Sequence, residues 1–426
     1  MPSLRRTLTT RGSSFAASGL LLVAAGVLLG QPDLTRIGVL VLALVGIALL
    51  LVRRHGLGLE VRRSVSPARV AIDERSVVTV AVRNTETSPS PVVMAEESID
   101  YALGDRPRFV VPTLRPGAVH EVQYSVRSHT RGVHRLGPLR VRARDPFGLA
   151  LRAAAVPGDA EIVVLPRVLP LTSGRSLGSG IGNEGSIPHM VALHGEDDQT
   201  VREYRDGDDL RRIHWPATAR TGGLMVRQED RPAKRRAVVL LDTRARGHGG
   251  SGRSSSLEWC VTTAASVLAH LVEATYAVHL LTADASSETG AHHDQGVDTG
   301  LDTLARIGLG GDDGVRSLLH AAHGLTSQGG LVVYVGGPLP DEDAAGLAAL
   351  RQPGSTGVAL VVDPEAFGQR SGRRGRGHYG PAPDGPPGAT AASLRASGWL
   401  TVVVDATTGP GTAWSSVVGA PAVGAR

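Results

Sequence analysis

Two uncharged, mostly apolar runs, Ser13–Gly30 of 18 residues and Ile37–Val52 of 16, constrain this chain more than any other feature. A helix needs roughly 17–25 such residues to cross the hydrocarbon core of a bilayer. The second run reaches that length only with Leu34 and its neighbours. Gln31-Pro32-Asp33 between them reads as a turn, because Pro32 bars one continuous helix. Backbone groups in lipid must be satisfied within the segment, so the expected solution is a two-helix hairpin. Arg5, Arg6 and Arg11 precede it, Arg53, Arg54, Arg62 and Arg63 follow it, and only Arg36 lies in the loop. The positive-inside rule then puts both ends and the bulk of the chain in the cytoplasm, as a two-helix, multi-pass protein of the cell membrane. A signal peptide is the competing reading. No clear small-x-small cleavage site precedes the second run, which would itself act as a stop.

The rest reads as two soluble domains, within the usual ~100–200 residues per domain for a 426-residue chain. Residues 57–165 show period two: Val78, Val80 and Val82; Val122, Tyr124 and Val126; and Leu139, Val141 and Ala143 against Arg140, Arg142 and Arg144. Half-buried strands separated by turn signals such as Arg115-Pro116-Gly117 and Asp145-Pro146 predict an all-β sandwich. Residues 233–426 change rhythm. Continuous apolar strands (Ala237–Asp242, Tyr276–Thr282, Leu331–Val335, Val358–Val362, Leu400–Val404) alternate with helical patterns, first Leu257, Val261, Ala264, Leu268 and Leu271, then Val315–Leu325 and Asp341–Leu350. That alternation predicts an α/β domain, a mostly parallel sheet with helices on both faces. Asp284–Gly300 and Gln369–Gly388 read as flexible insertions, and residues 166–232 as a linking segment.

The composition narrows the chemistry. The single cysteine, Cys260, excludes an internal disulfide or a cysteine-rich zinc site, and its place in an apolar helical pattern makes it a small core residue. A net charge of +5 does not demand a nucleic acid, and none is expected. The only lysine, Lys234, lacks the glycine frame of a phosphate loop. Gly180-Ile181-Gly182-Asn183-Glu184-Gly185 matches G-x-G-x-x-G without the strand and helix that nucleotide binding needs. His292-His293-Asp294 lies in a polar loop and makes a poor closed metal site. No cofactor is expected.

The densest constellation is Val201–Glu229. Asp206, Asp208 and Asp209 stand beside Arg205, Arg211 and Arg212, with His214 and Trp215 next. Asp208 and His214 suit a base and an acid, but no nucleophile or metal motif accompanies them. The favoured reading is an ion-pair network or a docking surface, for which arginine and tryptophan are typical anchors.

Two motifs carry a family resemblance. One is Arg131-Gly132, Leu136-Gly137-Pro138 and Asp145-Pro146-Phe147-Gly148-Leu149, closing the sandwich. The other is Arg202, Tyr204, Gly207-Asp208, Arg212-Ile213-His214-Trp215, Ala219-Arg220, Leu224 and Glu229. With them the chain resembles the bacterial membrane-anchored family known as domain of unknown function fifty-eight. The resemblance implies a C-terminal domain similar to a von Willebrand factor A domain. It also implies an adaptor role beside a MoxR-type AAA+ ATPase, often with a transglutaminase-like membrane protein. Such A domains often hold Mg²⁺ through D-x-S-x-S. Asp242 matches the aspartate, but Arg244 and Arg246 occupy the serine positions. Guanidinium groups donate hydrogen bonds and cannot ligate a cation, so a degenerate, metal-free position is expected, with Asp242 paired to an arginine. The reading is a cytoplasm-facing scaffold rather than an enzyme. Its rivals are a hydrolase using Asp208 and His214, a cation-dependent binding module, and, third, nucleic-acid binding through the Arg/Gly run Arg370, Arg373, Arg374 and Arg376 within Gln369–Gly388, which would need steep salt dependence.

Overall fold

The computed structural model describes residues 8–54, 57–172, 201–204, 213, 215–227, 235–283, 296–327, 329–370 and 385–419. The chain divides into two compact units, residues 1–166 and 167–426.

The first unit opens with α1 (Thr10–Leu28) and α2 (Pro32–Arg54), both long and apolar enough to cross a membrane. Thr9 caps α1 by accepting a hydrogen bond from the Gly12 amide at 3.0 Å. Pro32 and Asp33 are not turn residues, although the sequence pattern places them there. They open α2, where a proline at the first helical position loses nothing because its missing N–H has no intrahelical partner. The second helix is thus 23 residues long, its uncharged stretch flanked by Asp33 and Arg36 at one end and Arg53 and Arg54 at the other.

Two sheets follow. The first has order β1-β3-β6, from β1 (Leu59–Ser66), β3 (Arg75–Asn84) and β6 (Val119–Arg127). The second has order β2-β9-β7-β4-β5, with β8 also on β7, from β2 (Arg69–Ala71), β4 (Val93–Ile99), β5 (Arg108–Val111), β7 (Gly132–Arg144), β8 (Leu151–Val156) and β9 (Ala160–Leu165). Inward residues of both sheets share one apolar core that includes Val78, Val80, Val82, Ala95, Leu139, Val141 and Ile162. The alternate residues Arg140, Arg142 and Arg144 face solvent, as period two requires.

Two arginines counted above as flanking charges are neutralised. Arg62 pairs with Glu60 at 2.9 Å. The Arg63 side chain is fully buried in the sandwich, its Nε 2.9 Å from Glu97 Oε1, and it also donates to the Gly158 carbonyl. Burial pushes the Glu97 carboxyl above its ordinary range, and Arg63 opposes that rise. Glu97 Oε2, Arg63 Nη2 and Tyr124 Oη have no hydrogen-bond partner among the described residues.

The second unit contains a small antiparallel pair, β10 (Val201–Glu203) and β11 (Met225–Arg227), joined through α3 (Trp215–Thr221). A five-stranded parallel sheet follows: β12 (Arg236–Leu241), β13 (Ala277–Thr282), β14 (Leu331–Gly336), β15 (Thr356–Val362) and β16 (Leu400–Val404), in the order β13-β12-β14-β15-β16. β14 is buried at every position, as expected of a strand covered on both faces. The connecting helices are α4 (Ser256–Glu273), α5 (Val297–Arg306), α6 (Gly314–Thr326), α7 (Asp341–Ala349), α8 (Pro364–Arg370), α9 (Pro387–Ala396) and α10 (Pro410–Val418). The two segments read as flexible insertions are shorter than expected: 297–300 opens α5, 369–370 closes α8 and 387–388 opens α9. Residues 284–295 and 371–384, with His292-His293-Asp294 and Arg373, Arg374 and Arg376, lie outside the described residues, as does Gly180–Gly185.

Candidate functional site

The strand order of the parallel sheet locates the site. The chain runs from β12 outward to β13, then crosses back to β14 on the other side of β12. In open parallel sheets that reversal leaves a crevice at the carboxyl ends of the two diverging strands, where ligands ordinarily bind. Here those ends are Leu241-Asp242 and Val335-Gly336.

The crevice is filled by the protein's own side chains. Asp242 is 1% exposed and Arg244 2% exposed. The guanidinium meets the carboxylate bidentately, Nε to Oδ1 at 3.0 Å and Nη2 to Oδ2 at 2.8 Å. The Arg244 amide also donates to Oδ1 at 3.0 Å. From Nη2 a further bond runs to the Pro338 carbonyl at 2.9 Å, stapling the end of β12 to the loop after β14. Tyr334 Oη stands 3.1 Å from Asp242 Oδ2 and 2.9 Å from the Gly337 carbonyl, with one proton to share between them. Burial and the Asp242 charge push that phenol well above its ordinary range, so it stays a donor. A β-carbon on Gly337 would stand 2.1 Å from the Gly247 carbonyl oxygen, so the two loops meet backbone to backbone.

Around this pair lies a neutral hydrogen-bond chain. His248 Nε2 is 2.8 Å from the Asp242 carbonyl, and a carbonyl only accepts, so Nε2 carries the proton. Nδ1 then accepts from Ser256 Oγ at 3.0 Å, and Ser256 Oγ accepts from the Gly249 amide at 2.9 Å. Burial holds His248 below its ordinary pKa. Burial also pushes the Cys260 thiol, inside α4, well above its ordinary value, which makes it a packing group rather than a nucleophile.

Two further strands end in aspartates, and these cap their own turns. Asp363 Oδ1 accepts from the Glu365 amide at 3.0 Å. Asp405 Oδ1 accepts from the side chains and amides of Thr407 and Thr408, which hold its pKa down to about 2. No group of three or more His, Cys, Asp or Glu suited to a metal ion occurs among the described residues. Sequence reasoning missed Tyr334, His248 and Pro338 here, because only the strand order brings residues 334–338 beside residues 242–248.

The other constellation is partly described. Arg202 stands opposite Val226 in the β10–β11 register, and the Tyr204 amide donates to the Leu224 carbonyl at 2.8 Å. Trp215 opens α3 with 66% of its surface exposed, and Leu224 is also exposed. Arg220 lies in the last turn of α3, exposed. Gly207, Asp208, Arg212, His214 and Glu229 lie outside the described residues.

Residues 200–322 match the family model described as "Protein of unknown function DUF58". That span runs from β10 through the Asp242–Arg244 pair and into α6. No curated protein matches the chain. Among solved structures, the CARDB domain of PF1109 from Pyrococcus furiosus, crystallised with di-metal ions, is 16% identical, over 25% of this chain and 91% of that one, with a TM-score of 0.19. The Pseudomonas fluorescens alkylpurine DNA glycosylase AlkC is 18% identical, over 30% of this chain and 38% of that one, at 0.17. A β-glucosidase from Listeria innocua is 15% identical, over 25% of this chain and 16% of that one, at 0.15.

Proposed function

We propose that this chain, whose 200–322 match supports the DUF58 family, is a membrane-tethered scaffold that docks a protein partner on the cytoplasmic side. The partner is a MoxR-type AAA+ ATPase, with a transglutaminase-like membrane protein as a further member. The chain supplies place and specificity, and the ATPase supplies the work. The observation that carries this reading is Trp215. A large aromatic side chain, 66% exposed on a short helix that also carries the exposed Arg220, within the family-matched segment, has the composition of a protein–protein hot spot.

The cation-binding rival has weaker support. A von Willebrand factor A-like module that binds a cation through Asp242 would need that carboxylate free, whereas Arg244 holds both of its oxygens. A buried, bidentate guanidinium is a built-in cation at the position where a bound one would act. The scaffold reading therefore treats the α/β unit as a binding surface with a sealed crevice.

The test is co-purification of the full-length tagged protein from gently solubilised native membranes. Wild type is expected to bring down a AAA+ ATPase. Trp215→Ala, and Arg212→Ala beside it, are expected to lose it while melting as wild type. No ATPase with wild type, even after crosslinking, overturns the proposal.

A further inference from the structure

The turn after β7 joins the sandwich to one end of the hairpin. Leu8 bridges to Ala150, the Thr9 amide donates to the Leu149 carbonyl at 2.9 Å, and Thr9 Oγ1 donates to the Gly148 carbonyl at 2.7 Å. Leu149 and Ala150 are buried in one apolar cluster with Val45, Ala48 and Val52 of α2. Residues 147–150 therefore stand level with the first turn of α1 and the last turns of α2. In a hairpin that crosses a bilayer, this is the depth of the headgroups.

The chemistry at this level is one-sided. Arg11, Arg53 and Arg144 are exposed and have no ion-pair partner among the described residues. The carboxylate next to Arg144, Asp145, is consumed by its own turn, accepting from the Phe147 amide at 2.8 Å and from the Ala150 amide, and Glu60, the nearest to Arg53 in sequence, pairs with Arg62. The opposite end of the hairpin is neutralised, with Arg36 paired to Asp33 at 3.0 Å. Phe147 projects from the turn with 52% of its surface exposed. An aromatic ring and unpaired guanidinium groups at one membrane level are the composition of an interfacial anchor. Guanidinium forks match phosphate oxygens bidentately.

We propose that Arg11, Arg53 and Arg144 form a binding site for anionic phospholipid headgroups, with Phe147 lying in the interfacial layer beside them. The site holds the sandwich against the membrane through lipid as well as through the tether. This inference rests on the membrane-tethered reading.

The test uses the full chain in liposomes of mixed phosphatidylglycerol and phosphatidylcholine. After mild detergent extraction, the co-purifying lipid is measured by mass spectrometry. Wild type is expected to retain phosphatidylglycerol well above its share of the bulk lipid. The triple variant Arg11→Gln/Arg53→Gln/Arg144→Gln is expected to lose that enrichment, by about fivefold for each arginine removed. Arg140→Gln is the control. It makes the same charge change about 14 Å farther along β7 and is expected to retain lipid as wild type does. Circular dichroism checks that each variant is folded. Equal retention by the folded triple variant, or no enrichment in wild type, overturns the inference while the protein still resists carbonate extraction. Release of the protein by carbonate sinks the tether itself, and the inference with it.

Discussion

Replacing Arg244 with methionine keeps most of the side-chain volume and removes the charge. Asp242 would then be left at 1% exposure with Tyr334 Oη and the residue 244 amide as its remaining donors. Breaking a buried pair on one side costs about 3–5 kcal/mol, because the surviving charge is desolvated without compensation. For a unit of this size each kcal/mol moves the melting temperature by about 2–4 °C, so a fall of about 6–20 °C is expected. The assay is already present in the sequence. All four tryptophans, Trp215, Trp259, Trp399 and Trp414, lie in residues 167–426, so tryptophan fluorescence reports that unit alone. Arg244→Met/Asp242→Asn removes the stranded charge and is expected to recover much of the loss. If the single variant melts as wild type, or the double variant melts no higher than the single, the account of the pair as the seal of the crevice is refuted.

Three other outcomes are expected. A β-carbon at Gly12 would stand 2.0 Å from the Leu149 carbonyl oxygen, so Gly12→Ala should destabilise the first unit by about 1–3 kcal/mol in circular dichroism melts. Gly46→Ala, with open space around it, should not. His248 is held neutral in the fold, while the unfolded chain takes a proton near pH 6.5, so fluorescence-monitored stability should decline as pH falls below about 6.5. His248→Gln should flatten that decline. Arg63→Met strands Glu97 and should cost about 3–5 kcal/mol at neutral pH. The cost should shrink toward acid pH, because the raised pKa lets the folded carboxyl take up a proton above 4.5. A pH-independent loss would contradict that assignment.

Periodicity reports burial, and burial was what the sequence made legible. Val78, Val80 and Val82 alternate inward in β3, and Leu400–Val404 is a strand with the bounds the pattern suggested. α5 and α10 were missed because each is short and flanked by polar or Gly- and Pro-rich sequence that masks its apolar face. The turn motif Asp145–Leu149 looked like the close of a sandwich. Its role as the joint to the hairpin depends on Thr9, some 140 residues away, which no local pattern reveals. Arg63 looked like one more flanking charge, since its partner Glu97 lies on another strand. The crevice was legible only in half. D-x-R at 242–244 exposed the lost ligand position, but its neighbours Tyr334 and Pro338 come from beyond the crossover.

The central claim, recruitment of an ATPase through the exposed Trp215 surface, is tested most directly in nanodiscs. Full-length protein would be reconstituted there and titrated with a purified MoxR-type ATPase, with binding read by surface plasmon resonance. The account expects saturable binding to wild type that Trp215→Ala abolishes and Arg244→Met/Asp242→Asn leaves intact. Binding that ignores Trp215→Ala, or no binding to the wild-type protein, would contradict it.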